Sequence, residues 1–218
     1  MNKKIIEANI EVHSKMADSY HNEPHFRPEN QEKVRKRIIE LQKKANAKNL
    51  LDVGCGTGFI INLSKDLFDE LHGVDATQAM LDKVDLSSGN IILHNKLAQE
   101  LPFEDESFDM ASSYAFLHHL ENYSDVLKEV LRVLKKGGMI IFETPNPENI
   151  FVGACSFYTD PTHINPIPPS TLQFLAQNRG FKDVDIHRLH PVKQPIYPDI
   201  EKADDINTLI FASTKEQD

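Results

Sequence analysis

The chain contains the stretch Leu50-Leu51-Asp52-Val53-Gly54-Cys55-Gly56-Thr57-Gly58-Phe59. Apolar residues lead into Asp52, glycine then occupies every second position, and a helical pattern starts at Phe59. This order predicts a strand, a tight turn and a helix. In an open α/β sheet a nucleotide-like cofactor binds at such a turn, so we interpret the stretch as a cofactor-binding turn.

The composition, with 218 residues of which 40% are hydrophobic and 26% charged, fits one globular domain. The net charge of -9 disfavours nucleic acid or an anionic membrane surface as partner and favours a small molecule. Cys55 and Cys155 are far apart in sequence, so we expect no disulfide framework and a cytoplasmic location. The chain shows neither an apolar leader nor about 18 consecutive apolar residues, so neither export nor a membrane span is expected. Either a monomer or a homodimer is compatible with these features.

Two helices are predicted ahead of the glycine turn. Helical spacing predicts the first over Ile6–Tyr20, and Pro28 is placed to open the second, with Val34, Ile38 and Leu41 on its buried face. Strands and helices alternate after the turn. The predicted elements are helix Phe59–Leu67, strand Glu70–Asp75, helix Ala76–Val84, strands Asn90–His94 and Ser107–Tyr114, helix Ser124–Leu134 closed by Lys135-Lys136-Gly137-Gly138, and strand Met139–Glu143.

This succession predicts an α/β fold, a single Rossmann-like doubly wound sheet of about seven strands, mostly parallel with an antiparallel C-terminal strand. Thr144–Pro169 is rich in proline and asparagine and is predicted to be a functional loop without a helical stripe. A helix ending at Gly180 and strands over Val184–Leu189 and Thr208–Ala212 are expected to complete the domain. We divide it into a helical cap (1–45), a cofactor-binding core (46–143), a substrate loop (144–170) and a closing segment (171–218).

The glycine spacing and two carboxylates indicate which ligand the turn holds. A dinucleotide site uses G-x-G-x-x-G, whereas here the pattern is G-x-G-x-G and Phe59 stands in place of the last glycine. Asp52 and Asp75 both end predicted strands, which suits a ligand with a cationic amine near Asp52 and a ribose diol at Asp75. Backbone amides of the turn favour a ligand carboxylate. Asp75 as a simple helix cap is the alternative.

Several segments in order resemble class I S-adenosylmethionine-dependent methyltransferases of the ubiquinone-methyltransferase-like branch. They are Asp52–Phe59, Asp75, Leu101–Asp109, Leu117–Leu120 and Leu131–Gly138. The resemblance implies S-adenosylmethionine as cofactor, bound by Asp52, Gly54, Cys55, Gly56, Gly58, Asp75, Ala76, Leu97, Ala98 and Tyr114, with Tyr20 from the N-terminal segment as a lid contact or a core residue. The family commonly has an acid for the adenine amino group where this chain has Leu97, so adenine is expected to rest on apolar contacts and a backbone acceptor, with Gln99 as a substitute.

A second resemblance lies in the segment Ser156–Pro166, which contains Asp160-Pro161-Thr162-His163. It is similar to a loop of bacterial methyltransferases that act on surface polysaccharides and other glycoconjugates. It implies a sugar-like acceptor whose hydroxyl receives the methyl group. Nitrogen or carbon acceptors stay open.

Three histidines are candidates for catalysis. His163 is the first choice as a base for an acceptor hydroxyl, and a structural bond within its loop is the alternative. His118 and His119 follow a predicted strand and are candidates for proton transfer or for packing. Asp160 would orient His163 or cap the turn. No ligand set has a recognisable metal spacing, so no metal site is predicted.

Two other classes of function compete with methyl transfer. A nicotinamide-dependent oxidoreductase would also need Asp75, but the absent third glycine and the Leu-Pro-Phe and Arg-Val-Leu segments count against it. A non-catalytic cofactor-binding protein would retain the turn and lack an acceptor pocket. Binding of each cofactor and transfer of labelled methyl separate the three.

Overall fold

A computed structural model describes residues 2–23, 26–191 and 205–213, and only the backbone at 150, 189–191, 205–211 and 213. Within these residues the sheet has seven strands. They are β1 (Asn49–Val53), β2 (Glu70–Asp75), β3 (Ile91–Asn95), β4 (Phe108–Ser113), β5 (Leu134–Pro145), β6 (Lys182–Pro191) and β7 (Asp205–Ser213). Their order across the sheet is β3-β2-β1-β4-β5-β7-β6. Strands β1 to β5 are parallel, and β7 runs antiparallel to both β5 and β6.

The helices cover this sheet. They are α1 (Lys3–Met16), α2 (Pro28–Ala45), α3 (Phe59–Ser64), α4 (Gln78–Leu81), α5 (Tyr123–Val133), α6 (Ile150–Ala154) and α7 (Pro169–Arg179), with 3-10 helices at Tyr20–Asn22, Leu117–His119 and Ser156–Thr159. Pro28 does open α2, and α7 ends at Gly180, whose φ of 111° suits a left-handed cap. The predicted Rossmann-like α/β fold is confirmed. In the described part of the chain, each helix is too short or too polar to cross a bilayer.

Successive residues of the parallel strands point to opposite faces of the sheet and supply two cores. Leu51 and Ile140 lie in the cluster that also contains Leu127 of α5, whereas Leu50 and Ile141 lie in the cluster with residues of α2 and α3. This alternation is what a strand buried on both faces requires. The sheet is therefore held between helix layers, and its carboxyl edge is left to form a site.

The main differences from the predicted elements lie at helix ends. Helix α5 stops at Val133, because Leu134 is already extended and pairs with Phe108 of β4. The helix thus ends one residue before the predicted Leu134, but the segment Lys135–Gly138, predicted to close it, lies in β5, which begins earlier than the predicted Met139. Helix α1 likewise ends at Met16, before Tyr20.

The region 144–169 also contains structure that the sequence did not reveal. Asn149 caps α6, since its side chain accepts a hydrogen bond from the Val152 amide at 3.1 Å. This cap gives a short helix where a loop was predicted. The proline-bearing segment predicted between the last two strands lies, beyond Pro191, outside the described residues.

Arg132 explains two of the sequence motifs as parts of one structural contact. Its guanidinium donates to the carbonyl oxygens of Leu101 (3.0 Å) and Phe103 (2.7 Å) and to Asp105 (2.9 Å). Glu129 in turn accepts from the Leu101 amide at 3.0 Å. These bonds fasten the loop that follows β3 onto α5, so the Leu-Pro-Phe and Arg-Val-Leu segments belong to one structural contact.

Candidate active site

The glycine turn lies at the carboxyl end of β1, where the chain continues to β2 on one side while β4 pairs on the other. Such a switch point leaves a crevice that binds ligands in open α/β sheets. Gly54 has a φ of 73°, and a Cβ there would lie 2.2 Å from Cγ of Phe116. No other residue fits this position, because both the left-handed backbone and the contact exclude a side chain.

Asp75, at the end of β2, ties the turn to the neighbouring strand. Its Oδ2 accepts from the Gly56 amide at 2.9 Å, and its Oδ1 accepts from the Thr77 amide at 2.8 Å. Each carboxylate oxygen has a further lone pair for a ligand hydroxyl. Burial raises the pKa of Asp75, and the two amide hydrogen bonds oppose this rise.

A pocket opens beside the turn, and we call it the glycine-turn pocket. Of the residues predicted to bind a cofactor, seven line it: Tyr20, Gly54, Gly56, Asp75, Ala76, Leu97 and Ala98. The other four predicted residues do not: Asp52, Cys55, Gly58 and Tyr114. Their assignment as cofactor contacts stays a prediction, and the structure places them outside the pocket wall.

The contacts of Tyr114 explain why its side chain does not line the glycine-turn pocket. Its side chain turns towards α2, where its hydroxyl accepts from Asn30 Nδ2 at 3.1 Å and its ring packs 4.9 Å from that of Phe59. The backbone then takes a left-handed conformation at Ala115, with φ 51°. As a result Ala115 and Phe116 reach the pocket wall in place of Tyr114.

Helix α1, part of the predicted helical cap, supplies a wall of the pocket. Ile6, Asn9, Ile10 and His13 line the pocket. Asn9 Nδ2 donates to the His119 carbonyl at 3.3 Å, which holds the helix against the sheet edge. Helical spacing had marked Ile6, Ile10 and His13 as one stripe, and that stripe covers the pocket.

Asp52 lies beneath the turn, 2% exposed, and its Oδ1 accepts from Ser112 Oγ at 2.7 Å. Burial raises its pKa to about 7 from an ordinary 3.8, against the effect of the Ser112 hydrogen bond. Asp52 therefore shapes the base of the turn and is protonated in part of the population at neutral pH.

We expect the stability of the ligand-free chain to depend on pH through Asp52. Because the folded chain holds this proton to about pH 7 and the unfolded chain loses it near 3.8, the folded state binds more protons in between. The Asp52 contribution to the unfolding free energy then falls as pH rises through this window, by on the order of 1 kcal/mol per pH unit.

Asp52→Asn should remove that contribution, so the variant gains stability relative to the wild type as pH rises from about 4 to about 8. Urea unfolding at each pH measures it. The matched control is Asp69→Asn, an exposed carboxylate at the other end of β2, which should keep the wild-type slope. Parallel pH profiles for the wild type and Asp52→Asn would contradict the assignment.

A second cavity, the histidine cleft, joins the first. Its walls include Arg27, Glu143, His118, Asp160 and His163. Among the described residues, four line both cavities: His13, Tyr20, Ala115 and His119. The two cavities are therefore neighbours that share these four residues in their walls.

The Asp160-Pro161-Thr162-His163 loop is docked onto the segment after β4. The amides of Ile164 and Asn165 both donate to the His118 carbonyl, at 3.1 and 3.0 Å. Asp160 caps the turn, since its Oδ1 accepts from the Thr162 amide at 2.7 Å and from the Thr162 hydroxyl at 2.6 Å. Its Oδ2 lies 3.6 Å from His163 Nε2, so Asp160 both caps the turn and faces His163.

The loop brings His163 against His118 and His119, and we call these three residues the histidine cluster. His163 Nδ1 donates to the Phe157 carbonyl at 2.8 Å, which leaves the lone pair on Nε2. His118 Nε2 lies 3.1 Å from that atom. Burial lowers the pKa of all three histidines, so they are neutral.

His119 is oriented by a short chain of hydrogen bonds. Its Nδ1 lies 2.9 Å from Thr162 Oγ1 and 3.2 Å from the Thr162 carbonyl. Because the Thr162 hydroxyl gives its own proton to Asp160, Nδ1 is the donor and Nε2 carries the lone pair. Of the three histidines, His119 is the one that lines both cavities.

The chain is similar to methyltransferases in sequence and in fold. Residues 51–142 match the family described as a methyltransferase domain. The segment is therefore similar to methyltransferase domains, with S-adenosylmethionine as the implied cofactor. The chain is 39% identical over 120 residues to demethylmenaquinone methyltransferase of Staphylococcus aureus, a match that covers 52% of this chain. The chain spans about half the length of the curated relatives it matches, 50% in this case.

Solved structures share the fold. A methyltransferase from Archaeoglobus fulgidus superposes with a TM-score of 0.71 at 24% identity, over 84% of this chain and 94% of that one. The cyclase SpnF superposes with a TM-score of 0.67 at 19% identity, over 85% and 82%. Proteins named for different activities thus share this fold, so the fold alone does not define the methyl acceptor.

Proposed function

We propose that this chain transfers the methyl group of S-adenosylmethionine to a hydroxyl of a small, neutral, sugar-like acceptor. One observation carries the proposal: the glycine-turn pocket and the histidine cleft meet at His13, Tyr20, Ala115 and His119. A cofactor in the first would present its methyl group at this junction to an acceptor in the second. Holding the reacting atoms about 3 to 3.5 Å apart and in line supplies most of the rate gain in such a transfer.

The residues of the glycine-turn pocket suit the parts of the cofactor. Asp75 takes the ribose hydroxyls through the lone pairs that remain on its two oxygens. The adenine ring lies against Met80, Leu97 and Ala98, and no carboxylate is needed for its amino group. Tyr20 and His13 close the pocket from the N-terminal cap, which supports the division of the domain at residue 45.

The charges of the histidine cleft favour a neutral acceptor. Its described lining includes four carboxylates (Glu23, Glu29, Glu143 and Asp160) and a single arginine, Arg27. Such a lining repels an anionic acceptor and offers many hydrogen-bond acceptors to hydroxyl groups. The resemblance of the Asp-Pro-Thr-His loop to glycoconjugate methyltransferases supports the same choice.

The histidine cluster would activate the hydroxyl. In the reaction the acceptor O–H bond breaks, an O–C bond forms to the methyl carbon, and the S–C bond breaks to leave S-adenosylhomocysteine. The proton passes through the cluster to solvent. We propose His163, His118 and His119 as the residues that act on the hydroxyl, and the position of His119 at the junction favours it for direct contact.

A phenolic or quinol acceptor is the second candidate. It is favoured by the 39% identity over 120 residues to demethylmenaquinone methyltransferase. Exposed apolar side chains in the substrate loop, Phe151 and Tyr158, at 53% and 60% exposure, would suit a larger apolar acceptor.

Methyl-labelled S-adenosylmethionine tests both candidates. The purified chain is incubated with neutral sugars, nucleotide sugars and hydroquinones in separate reactions. We expect labelled product in the neutral sugar reactions. Variants of the three histidines of the cluster should form less of this product than the wild type. Label only in hydroquinones would overturn the sugar assignment, and stabilisation by cofactor without any labelled product would support a non-catalytic binding protein.

A further inference from the structure

The histidine cluster has the composition and geometry of a metal-binding site. Its three imidazoles, His118, His119 and His163, offer ligand atoms that all lie within 4.8 Å of one another. His118 Nε2 and His163 Nε2 are 3.1 Å apart. Two nitrogens on one tetrahedral zinc ion lie about 3.3 Å apart, given Zn–N bonds of about 2.0 to 2.1 Å.

Two of the three rings also have the outer partners that metal-bound histidines use. His163 Nδ1 donates to the Phe157 carbonyl, and His119 Nδ1 donates to Thr162. A hydrogen bond at one ring nitrogen fixes the tautomer and aims the lone pair of the other nitrogen at the ion. The lone pair of His119 is on Nε2 for this reason, and that of His163 accepts a hydrogen bond from His118 Nε2 at 3.1 Å. A bound ion would take the place of this shared proton.

Asp160 lies beside the cluster and has one oxygen near His163. Its Oδ1 is engaged by Thr162, whereas its Oδ2 lies 3.6 Å from His163 Nε2 on the cleft side. Three imidazoles and one carboxylate suit zinc and its neighbours such as cobalt and nickel, and do not suit magnesium or calcium. A site with three firm protein ligands leaves a position open for a substrate oxygen, as catalytic zinc sites do.

We propose that His118, His119 and His163 bind a divalent transition-metal ion of the zinc type, with Asp160 as an additional oxygen donor, at the wall of the histidine cleft. The ion would face the place where the acceptor hydroxyl is proposed to lie, and with the ion bound the three imidazoles would hold it, so the hydroxyl proton would leave to solvent without a histidine base. Only this last point rests on the proposed function, because binding of the ion depends on the cluster alone.

Cobalt binding to the chelator-treated full chain tests the proposal without any activity measurement. Cys155 is exposed and could bind metal, so it is replaced by serine in every protein compared. We expect one Co²⁺ per chain, with the visible absorption bands of a four-coordinate ion, displaced by Zn²⁺. His119→Gln and His163→Gln should each weaken Co²⁺ binding at least about a hundredfold, and Thr162→Val about 10- to 100-fold through loss of an outer partner.

Two matched histidine variants complete the experiment. His21→Gln, at an exposed position outside the cluster, should leave Co²⁺ binding unchanged. His72 and His94 form another pair, with nitrogens 3.0 Å apart, and His94→Gln should also have no effect. Absence of the Co²⁺ bands, or their loss in His94→Gln alone, would overturn the proposal.

Measurements on the same chelator-treated protein distinguish failure of the metal site from failure of the proposed function. Its melting temperature is measured with S-adenosylmethionine, and its methyl transfer is measured with and without Zn²⁺. If no ion binds while transfer proceeds, the metal site is wrong and the methyltransferase stands. If the ion binds and no acceptor is methylated, the metal site stands and the proposed function fails.

Discussion

Asp75→Ala is expected to weaken S-adenosylmethionine binding at least about a hundredfold. A hydrogen bond to a charged group contributes about 1.5 to 3 kcal/mol, and the carboxylate is proposed to accept from two ribose hydroxyls. About 1.4 kcal/mol corresponds to a tenfold change in affinity, so the loss of both bonds gives this figure. The variant also leaves the Gly56 and Thr77 amides without their acceptor, which loosens the turn itself.

Titration calorimetry with S-adenosylmethionine measures this effect. Asp69→Ala is the matched control, because Asp69 is an exposed aspartate that precedes the opposite end of the same strand. It should bind the cofactor as the wild type does. Asp75→Asn is informative as well, since it keeps one acceptor oxygen and should fall between the two. An unchanged dissociation constant for Asp75→Ala would remove Asp75 from the cofactor site.

The second large effect is expected at the histidine cluster. His163→Ala should lower kcat at least about a hundredfold, in the range that activation of an acceptor proton supplies. Cofactor affinity should be nearly unchanged, because His163 lines the histidine cleft and is absent from the wall of the glycine-turn pocket. A fall in kcat with an unchanged dissociation constant separates a role in the reaction from a general loss of structure.

His163 also donates to the Phe157 carbonyl, so the loop could shift in the variant. Stabilisation of His163→Ala by the cofactor, measured by thermal unfolding, controls for this. His21→Ala serves as the control for removal of an exposed imidazole. Wild-type turnover in His163→Ala would show that His163 does not act on the acceptor, and His119, at the junction of the two cavities, would be the next variant to measure.

Local sequence was sufficient for much of the fold. The apolar run of β1, the glycines that follow it and the proline that opens α2 each act within a few residues, so their conformations were predicted correctly. Helix α5 shows the limit. Its end at Val133 depends on pairing between Leu134 and Phe108, which are 26 residues apart, and the glycines at 137 and 138 gave a misleading local signal.

The same distinction holds for the candidate site. Asp75 and the glycines were identified because the turn has a local signature, whereas the orientation of Tyr114 away from the pocket depends on its contact with Asn30 of a distant helix. No metal site was predicted, because the interval between His119 and His163 matches no known ligand spacing. The fold brings the two histidines together, because the loop that contains His163 hydrogen-bonds to the His118 carbonyl.

The sequence by itself determined the strand, turn and helix that hold a nucleotide-like cofactor, and the acid at the end of the next strand. These features follow from backbone conformations and periodicities that a few neighbouring residues set. Only the tertiary structure decided that α1 covers the pocket and that three histidines from two segments share one cleft. Those contacts depend on packing and hydrogen bonds summed over distant parts of the chain, which local patterns do not encode.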